Sequence, residues 1–270
     1  MQIETPFDVM AETYDLDFTW SKIGALQRGK VRELILPFFE KGKKNATILE
    51  MNCGTGEDAV WLASMGHRVV ATDASEKMIE KTFEKKYRFG LRDNNLEIEQ
   101  CSLQDLGVRY QGRKFDFIFS NFGGINCIRR EEVNELAAKL SGLLAPGGRI
   151  ALVVMSRFCL WESAYYFAQG KWKTAFRRSQ HQQTLLVGEN SLRFYHYSPL
   201  EIKKMFAPYF ASIGCFPVGL LIPPSYLEQH FSTRPSLLNT LNRLENRLNR
   251  IQLFSRWADH YCILFKKTGS

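Results

Sequence analysis

The stretch 48–73, ILEMNCGTGEDAVWLASMGHRVVATD, constrains this chain more than any other. Ile48 and Leu49 form a short apolar run that ends at Glu50, and the turn Asn52-Cys53-Gly54-Thr55-Gly56 follows. Ala59, Leu62, Ala63 and Met65 then recur at helical spacing. His67 to Ala71 is a second strand-like run, closed by Asp73. Strand, glycine turn, helix, strand and acidic residue make up the front half of a nucleotide-binding βαβ unit. Glycine suits the turn because it accepts unusual backbone angles and puts no side chain between backbone and ligand.

The alternation continues to about residue 155. Five strands are expected: Thr47–Met51, 68–72, 96–101, 115–119 and 150–155. Helices separate them, one capped by Ser75 with Met78, Ile79 and Phe83 inward, another over 131–143. Ala145-Pro146-Gly147-Gly148 is a turn, and the apolar run after it suits a parallel strand covered on both faces. Ahead of the first strand, Trp20, Ile23, Leu26, Val31, Leu34, Ile35 and Phe38 recur at roughly helical spacing. Residues 1–45 are therefore expected to be a helical cover over the ligand end of the sheet, and 46–270 the main domain. Within it, 156–190 is rich in Phe, Trp, Tyr and basic residues and reads as a helical lid inserted after the fifth strand. Ser198-Pro199 starts a further helix, 213–221 is a strand, and 260–266 is the last one. Leu237, Leu241, Leu244, Leu248 and Ile251 form a near-heptad stripe, either a cover helix or a dimer seam, which leaves monomer and homodimer both open.

Composition narrows the class. No run approaches the roughly 20 apolar residues of a membrane span. The start MQIETPFDVMAETYD lacks the basic-then-apolar pattern of a secretory signal, so a cytoplasmic protein without membrane attachment is expected. Six cysteines are widely spread with no C-x-x-C, which argues for reduced thiols and against a metal site. The net charge of +8 fits a soluble basic surface or an anionic partner such as a phosphate, an acyl carrier or a nucleic acid. The excess gathers at Lys171, Lys173, Arg177 and Arg178, and again at Arg243, Arg247, Arg250 and Arg256. Neither cluster has the aromatic interleaving of a single-strand binder, and no nucleic-acid motif is present, which opposes nucleic acid as a partner.

Gly54-x-Gly56-x-x-Ala59 with Asp73 also fits a dinucleotide fingerprint, so an NAD-dependent oxidoreductase is a competing reading. A pyrophosphate sits at the helix N-terminus, where amide dipoles favour negative charge. Here Glu50 ends the strand and Glu57-Asp58 opens the helix, which would repel it. The acids suit a ligand with positive charge and no phosphate, and S-adenosylmethionine is such a ligand.

At this point the chain resembles the class I S-adenosylmethionine-dependent methyltransferases. Residues 48–56 resemble their first motif, Asp73 the acid closing their second strand, and 101–106 their third-strand motif. Phe115 to Asn121 resembles their fourth, and 144–155 their proline-glycine-glycine-strand motif. The final strand is similar to their antiparallel seventh. The resemblance implies an α/β fold with a doubly wound, mostly parallel seven-stranded sheet in the order 3-2-1-4-5-7-6. It also implies roles. Asp73 would accept the ribose hydroxyls, while Gly54 and Gly56 would let the backbone approach the methionine part. Glu50 would orient Asn52 or attract the amino group. Ala74, Ser75 and Met78 would line the adenine. Ser102 stands where the family often has an acid, with Asp105 too displaced to substitute and Leu103 offering its amide. Asn121 would hold the methionine end. Tyr14 is expected over the sulfonium and Arg28 against the carboxylate. Tyr14-Asp15 and CGTGEDA resemble a small-molecule subgroup.

Methyl transfer by in-line displacement needs position more than covalent help. A hydroxyl or acidic carbon acceptor also needs a base. His196, His230 and Tyr226 are candidates. His260 is set aside as preceding an edge strand remote from the pocket, and no base is assigned. Phe158, Trp161, Tyr165, Tyr166 and Phe167 of the insertion are expected to line the acceptor site with Tyr226, and Arg157 to hold an anionic group. The expected acceptor is small and apolar or aromatic. An anionic or carrier-bound acceptor stays open, as does the choice of O, N or C atom. RNA or protein methylation is the alternative.

Overall fold

The computed structural model describes residues 6–40, 45–180, 182–187 and 190–268. The described strands are β1 (Thr47–Met51), β2 (Arg68–Asp73), β3 (Leu96–Gln100), β4 (Phe115–Ser120) and β5 (Leu144–Met155), then β6 (Gln182–Val187), β7 (Asn190–Tyr195), β8 (Phe210–Val218) and β9 (His260–Lys267). Seven of them form one sheet in the order β3-β2-β1-β4-β5-β9-β8, and β6 pairs with β7 alone. β1 to β5 pair in parallel, while β9 runs antiparallel to both β5 and β8. Counted within the sheet, this is the expected order 3-2-1-4-5-7-6 with its last strand reversed.

Successive side chains of a strand point to opposite faces, so each strand feeds two cores. Leu49 and Ile118 join Leu136, Leu140, Ile202 and Phe206 on one face. Ile48, Phe117 and Phe119 join Val31, Ile35, Ala59 and Leu62 on the other. The helix Lys22–Ile35 therefore covers a sheet face with its second half and does not only cap the ligand end. Side-chain caps start the helices where the sequence indicates. Ser75 Oγ accepts the Met78 amide at 3.1 Å, and Ser198 with Glu201 forms a capping box around Pro199.

Ala145 to Gly148, expected as a turn ahead of the fifth strand, falls within β5 as a bulge unpaired with β4: the register steps from Phe115–Leu144 to Phe117–Arg149, and Gly147 has a left-handed φ of 74°. The insertion carries the expected helix and a hairpin besides. After the helix Leu160–Ala168 it closes with the β6–β7 hairpin, which Asn126 pins in place. Asn126 Nδ2 donates to Tyr195 O (2.7 Å) and Met155 O (3.2 Å), and its Oδ1 accepts the Met155 amide at 2.8 Å. The leucine stripe of the helix Pro235–Leu248 is only partly covered: Leu241 and Leu248 are half-buried, while Leu237, Leu244 and, past the helix end, Ile251 are each about two-fifths exposed. Leu238 and Glu245 face inward instead, since Glu245 accepts the amides of Gly219, Leu220, Leu221 and Ile222 at 2.6–3.1 Å. No helix among the described residues is long and apolar enough to cross a membrane.

Candidate active site

The glycine turn brings the site together. Asn52, Gly54 and Gly56 all have left-handed backbone angles, with φ of 45°, 57° and 76°. The Gly54 amide donates to Asp73 Oδ2 and the Ser75 amide to Asp73 Oδ1, both at 2.9 Å. A Cβ on Gly56 would lie 2.4 Å from Thr82 Cγ2, so the bare glycine lets the helix Glu76–Arg88 pack against the turn. A Cβ on Gly124 would lie 1.8 Å from Asn52 Nδ2, which instead donates to Ser120 Oγ at 3.0 Å.

Above this turn, at the carboxyl ends of the parallel strands, lies a cavity of about 610 Å³. Tyr14, Arg28, Glu50, Asn52, Gly54, Asp73, Ala74, Met78, Ser102, Leu103, Asn121 and Tyr226 all line it. Gly56 sits just behind, at the N-cap of the helix Glu57–Ser64.

The cavity floor is acidic. Asp58 takes hydrogen bonds from Arg28, from Arg32 Nε at 2.9 Å and from Asn121 Nδ2 at 2.8 Å. Burial alone would raise its carboxyl, but the two arginines outweigh burial and hold it below the usual range. Glu50 goes the other way: burial and the Asp58 charge push it well up, and its Oε2 has no hydrogen-bond partner among the described residues. Burial also raises Asp73, against the two amides it accepts. At the far end, Ser102 Oγ donates to Asp105 Oδ2 at 2.6 Å. Asp105 is not on the described lining of the cavity and reaches it only through this hydrogen bond to the Ser102 hydroxyl.

Beyond Asn121 the wall turns apolar, with Phe122, Ile128, Met155, Leu192 and Phe194. Phe122 (φ 41°) packs edge-on between Phe18, at 4.9 Å, and His260, at 5.3 Å.

Several expected residues lie elsewhere. Arg157 pairs with Glu201 at 3.5 Å and donates to Ser179 O at 3.2 Å, so it does not face the cavity. Trp161 donates to Leu221 O at 2.7 Å and packs edge-on against Phe231. Tyr165 contacts Tyr166 and the exposed His230. None of these lines the cavity, because the helix Leu160–Ala168 turns its aromatic side toward residues 221–231 and leaves the hairpin to form the wall. His196 is buried off the cavity with Nδ1 unpartnered; burial, then the Arg178 charge, lowers it to about 4. Tyr226 does line the cavity. Its hydroxyl donates to Glu162 Oε2 at 3.1 Å, and partial burial with the Glu162 charge raises its pKa.

His260 is the residue that sequence reasoning missed. It lines the cavity, because β9 is not an edge strand and its reversed direction sets its first residue opposite Met155, at the carboxyl end of β5. The reversal of the last strand was itself the available signal. His260 Nδ1 lies 3.2 Å from Asp259 Oδ2, at an angle too bent for a formed hydrogen bond. Asp259 also accepts Arg178 Nη2 at 2.8 Å and Gln27 Nε2 at 3.2 Å.

Residues 48–148 match the family model of a methyltransferase domain. A demethylmenaquinone methyltransferase of Clavibacter sepedonicus is 30% identical over 156 residues, covering 57% of this chain and 58% of that enzyme. The CcbJ methyltransferase from Streptomyces caelestis superposes with a TM-score of 0.62 at 14% identity, over 98% of each chain. An S-adenosylmethionine-dependent methyltransferase from Clostridium acetobutylicum does so with 0.56 at 13% identity, over 90% of this chain and 91% of its own. The structural likenesses, at such identities, speak to the fold. The match to the Clavibacter enzyme spans little more than half of that relative, so activity is argued from the site.

Proposed function

This chain belongs to the class I S-adenosylmethionine-dependent methyltransferases, and from that premise we propose that it methylates a small, neutral, largely apolar acceptor. One observation carries the reading: a single cavity joins the acidic floor at Glu50 and Asp73 to the apolar wall at Phe122, Ile128, Met155, Leu192 and Phe194. Its volume, about 610 Å³, lies within the range of roughly 300–1,000 Å³ common to small-molecule sites.

The residues present fit the donor. Glu50 offers a buried, unpartnered oxygen to a cationic amino group, and a nearby cation would favour its charged form. Asp73 offers its carboxylate to the ribose hydroxyls. Arg28 keeps an unpartnered Nε–H for a carboxylate. Ser102, oriented by Asp105, keeps its oxygen as an acceptor for the adenine amine, beside Leu103 and Met78. Tyr14 and Asn121 close the methionine end. When bound, the donor supplies an activated methyl group on a cationic sulfur. The protein's share is to position the acceptor and exclude water.

A neutral acceptor follows from the charges. Arg28 is the only Lys or Arg on the described lining, and Asp58 already neutralises it. The basic cluster of the insertion is also partly occupied, since Arg177 and Arg178 both pair with Glu162. RNA methylation stays a second reading through Arg243, Arg247 and Arg250, all exposed on the helix Pro235–Leu248 and its end.

Calorimetry with S-adenosylmethionine and NAD tests the donor site, with binding of the first alone expected. Transfer of a labelled methyl group is then offered to neutral quinols and phenols, fatty acids and bulk tRNA. Label in the neutral aromatics is expected. Label only in tRNA, with affinity falling steeply as salt rises, would replace this reading by the second.

A further inference from the structure

The geometry points to His260 as the proton acceptor of this site, held by Asp259, and therefore to an acceptor molecule that carries an ionisable hydroxyl. The inference rests on the methyltransferase reading and narrows it from an apolar acceptor to one of phenol or enol type.

His260 lies where such a base is needed. It lines the cavity beside Phe122, one residue past Asn121 at the end of β4. It is the only histidine on the described lining. Its two ring nitrogens are unlike. Nδ1 lies 3.2 Å from Asp259 Oδ2 without a formed hydrogen bond, while Nε2 has no hydrogen-bond partner among the described residues. A carboxylate beside Nδ1 keeps the proton of the neutral ring there and leaves the Nε2 lone pair free to accept.

Asp259 is held for this task. It is buried, and Arg178 Nη2 and Gln27 Nε2 fix its two oxygens. Burial alone would raise its carboxyl, but a proton on His260 and the Arg178 charge hold it well below the ordinary range, and Arg178 is there whether or not the ring is protonated, so it stays an anion. Arg178 is fixed in turn by Glu162, which also takes Arg177 and the Tyr226 hydroxyl. The charged and titratable groups around the ring are thus Asp259 beside it, Arg178 behind Asp259, then Glu162, Arg177, Tyr226 and the buried neutral His196.

In the step, the acceptor hydroxyl gives its proton to Nε2 and the electron pair of that bond stays on oxygen. Oxygen would gain the methyl group in place of the proton as the donor's methyl–sulfur bond breaks, the electron pair of that bond going to the sulfur, which leaves as a neutral thioether. The imidazolium faces the Asp259 carboxylate until it releases the proton to water. A carboxylate acceptor would need no such base, and among the described residues no free cation lines the cavity to hold one.

The test reads His260 directly. In the ¹⁵N-labelled full chain, long-range proton–nitrogen spectra give the tautomer of each histidine, with His260 assigned by its loss in His260→Gln. The proton is expected on Nδ1. In parallel, 4-nitrophenol is titrated into the complex with S-adenosylhomocysteine and its ionisation followed by absorbance. Wild type is expected to ionise the bound probe at least tenfold more than His260→Gln at the same pH. A proton on Nε2, equal ionisation in both proteins, or no probe binding overturns the inference. Calorimetry with S-adenosylmethionine separates the two failures: a wild type that does not bind it loses the methyltransferase reading, whatever the tautomer.

Discussion

The Gly54 amide donates to Asp73 Oδ2 at 2.9 Å, so the carboxylate that closes β2 also holds the glycine turn that follows β1. One side chain therefore sets the shape of the turn and presents charge to the cavity. Asp73→Ala should lose both functions. A hydrogen bond to a charged group contributes about 1.5–3 kcal/mol, so calorimetry should show the Kd for S-adenosylmethionine rising at least tenfold. Asp73→Asn should fall between. Unchanged affinity would take the carboxylate out of the site.

Gly124→Ala should be among the most damaging glycine substitutions. Its new Cβ would lie 1.8 Å from Asn52 Nδ2 and 2.0 Å from Asn52 Cγ. Asn52 would have to leave Ser120 and the turn. Overpacking of this kind costs about 1–3 kcal/mol, readable in urea unfolding. Gly29→Ala is the matched control: it lies in the helix Lys22–Ile35 with nothing within 4 Å of the new Cβ, and should gain about 0.5–1 kcal/mol.

Glu245 ties four consecutive amides to one buried carboxylate. Glu245→Ala would strand all four, and a buried donor left unsatisfied costs about 1–3 kcal/mol. Glu245→Gln keeps one acceptor oxygen and should cost less. Loss of exchange protection at 219–222 in Glu245→Gln is the local readout. Protection that survives there would show that the carboxylate does not hold the loop.

His196 should make the protein acid-sensitive above the carboxylate range. Its folded value of about 4 lies below the 6.5 of an exposed histidine, because burial disfavours the charged ring. The unfolded chain therefore binds the extra proton first. The contribution of neutral His196 is complete above about pH 6.5 and is lost as pH falls toward 4. The gap corresponds to about 3 kcal/mol. Unfolding free energy measured from pH 7 to 4.5 should fall in wild type and flatten in His196→Gln. A flat wild-type profile would rule out the buried neutral ring.

Local pattern placed the elements: alternation of apolar runs, capped helices and glycine turns is written within a few neighbouring residues, so the first five strands and the turn at Gly54 were legible without a structure. The strand order, and the roles expected of Asp73, Glu50, Met78, Ser102 and Asn121, came from the resemblance of these motifs to the methyltransferases. What a surface packs against is not local. The aromatic side of Leu160–Ala168 could have faced the cavity or residues 221–231, and only the hairpin pinned by Asn126 decided it. In Pro235–Leu248 the leucine stripe looked like the buried face, until four unpaired amides drew Glu245 inward. His260 was passed over because its meaning depends on which residue its strand sets it against, and the expected reversal of that strand was not followed through to Met155. The chain carries the period of each element in its own residues, but the partners of a buried polar group come from segments far away along it. Only folding brings Asp259, Arg178 and Gln27 to one place.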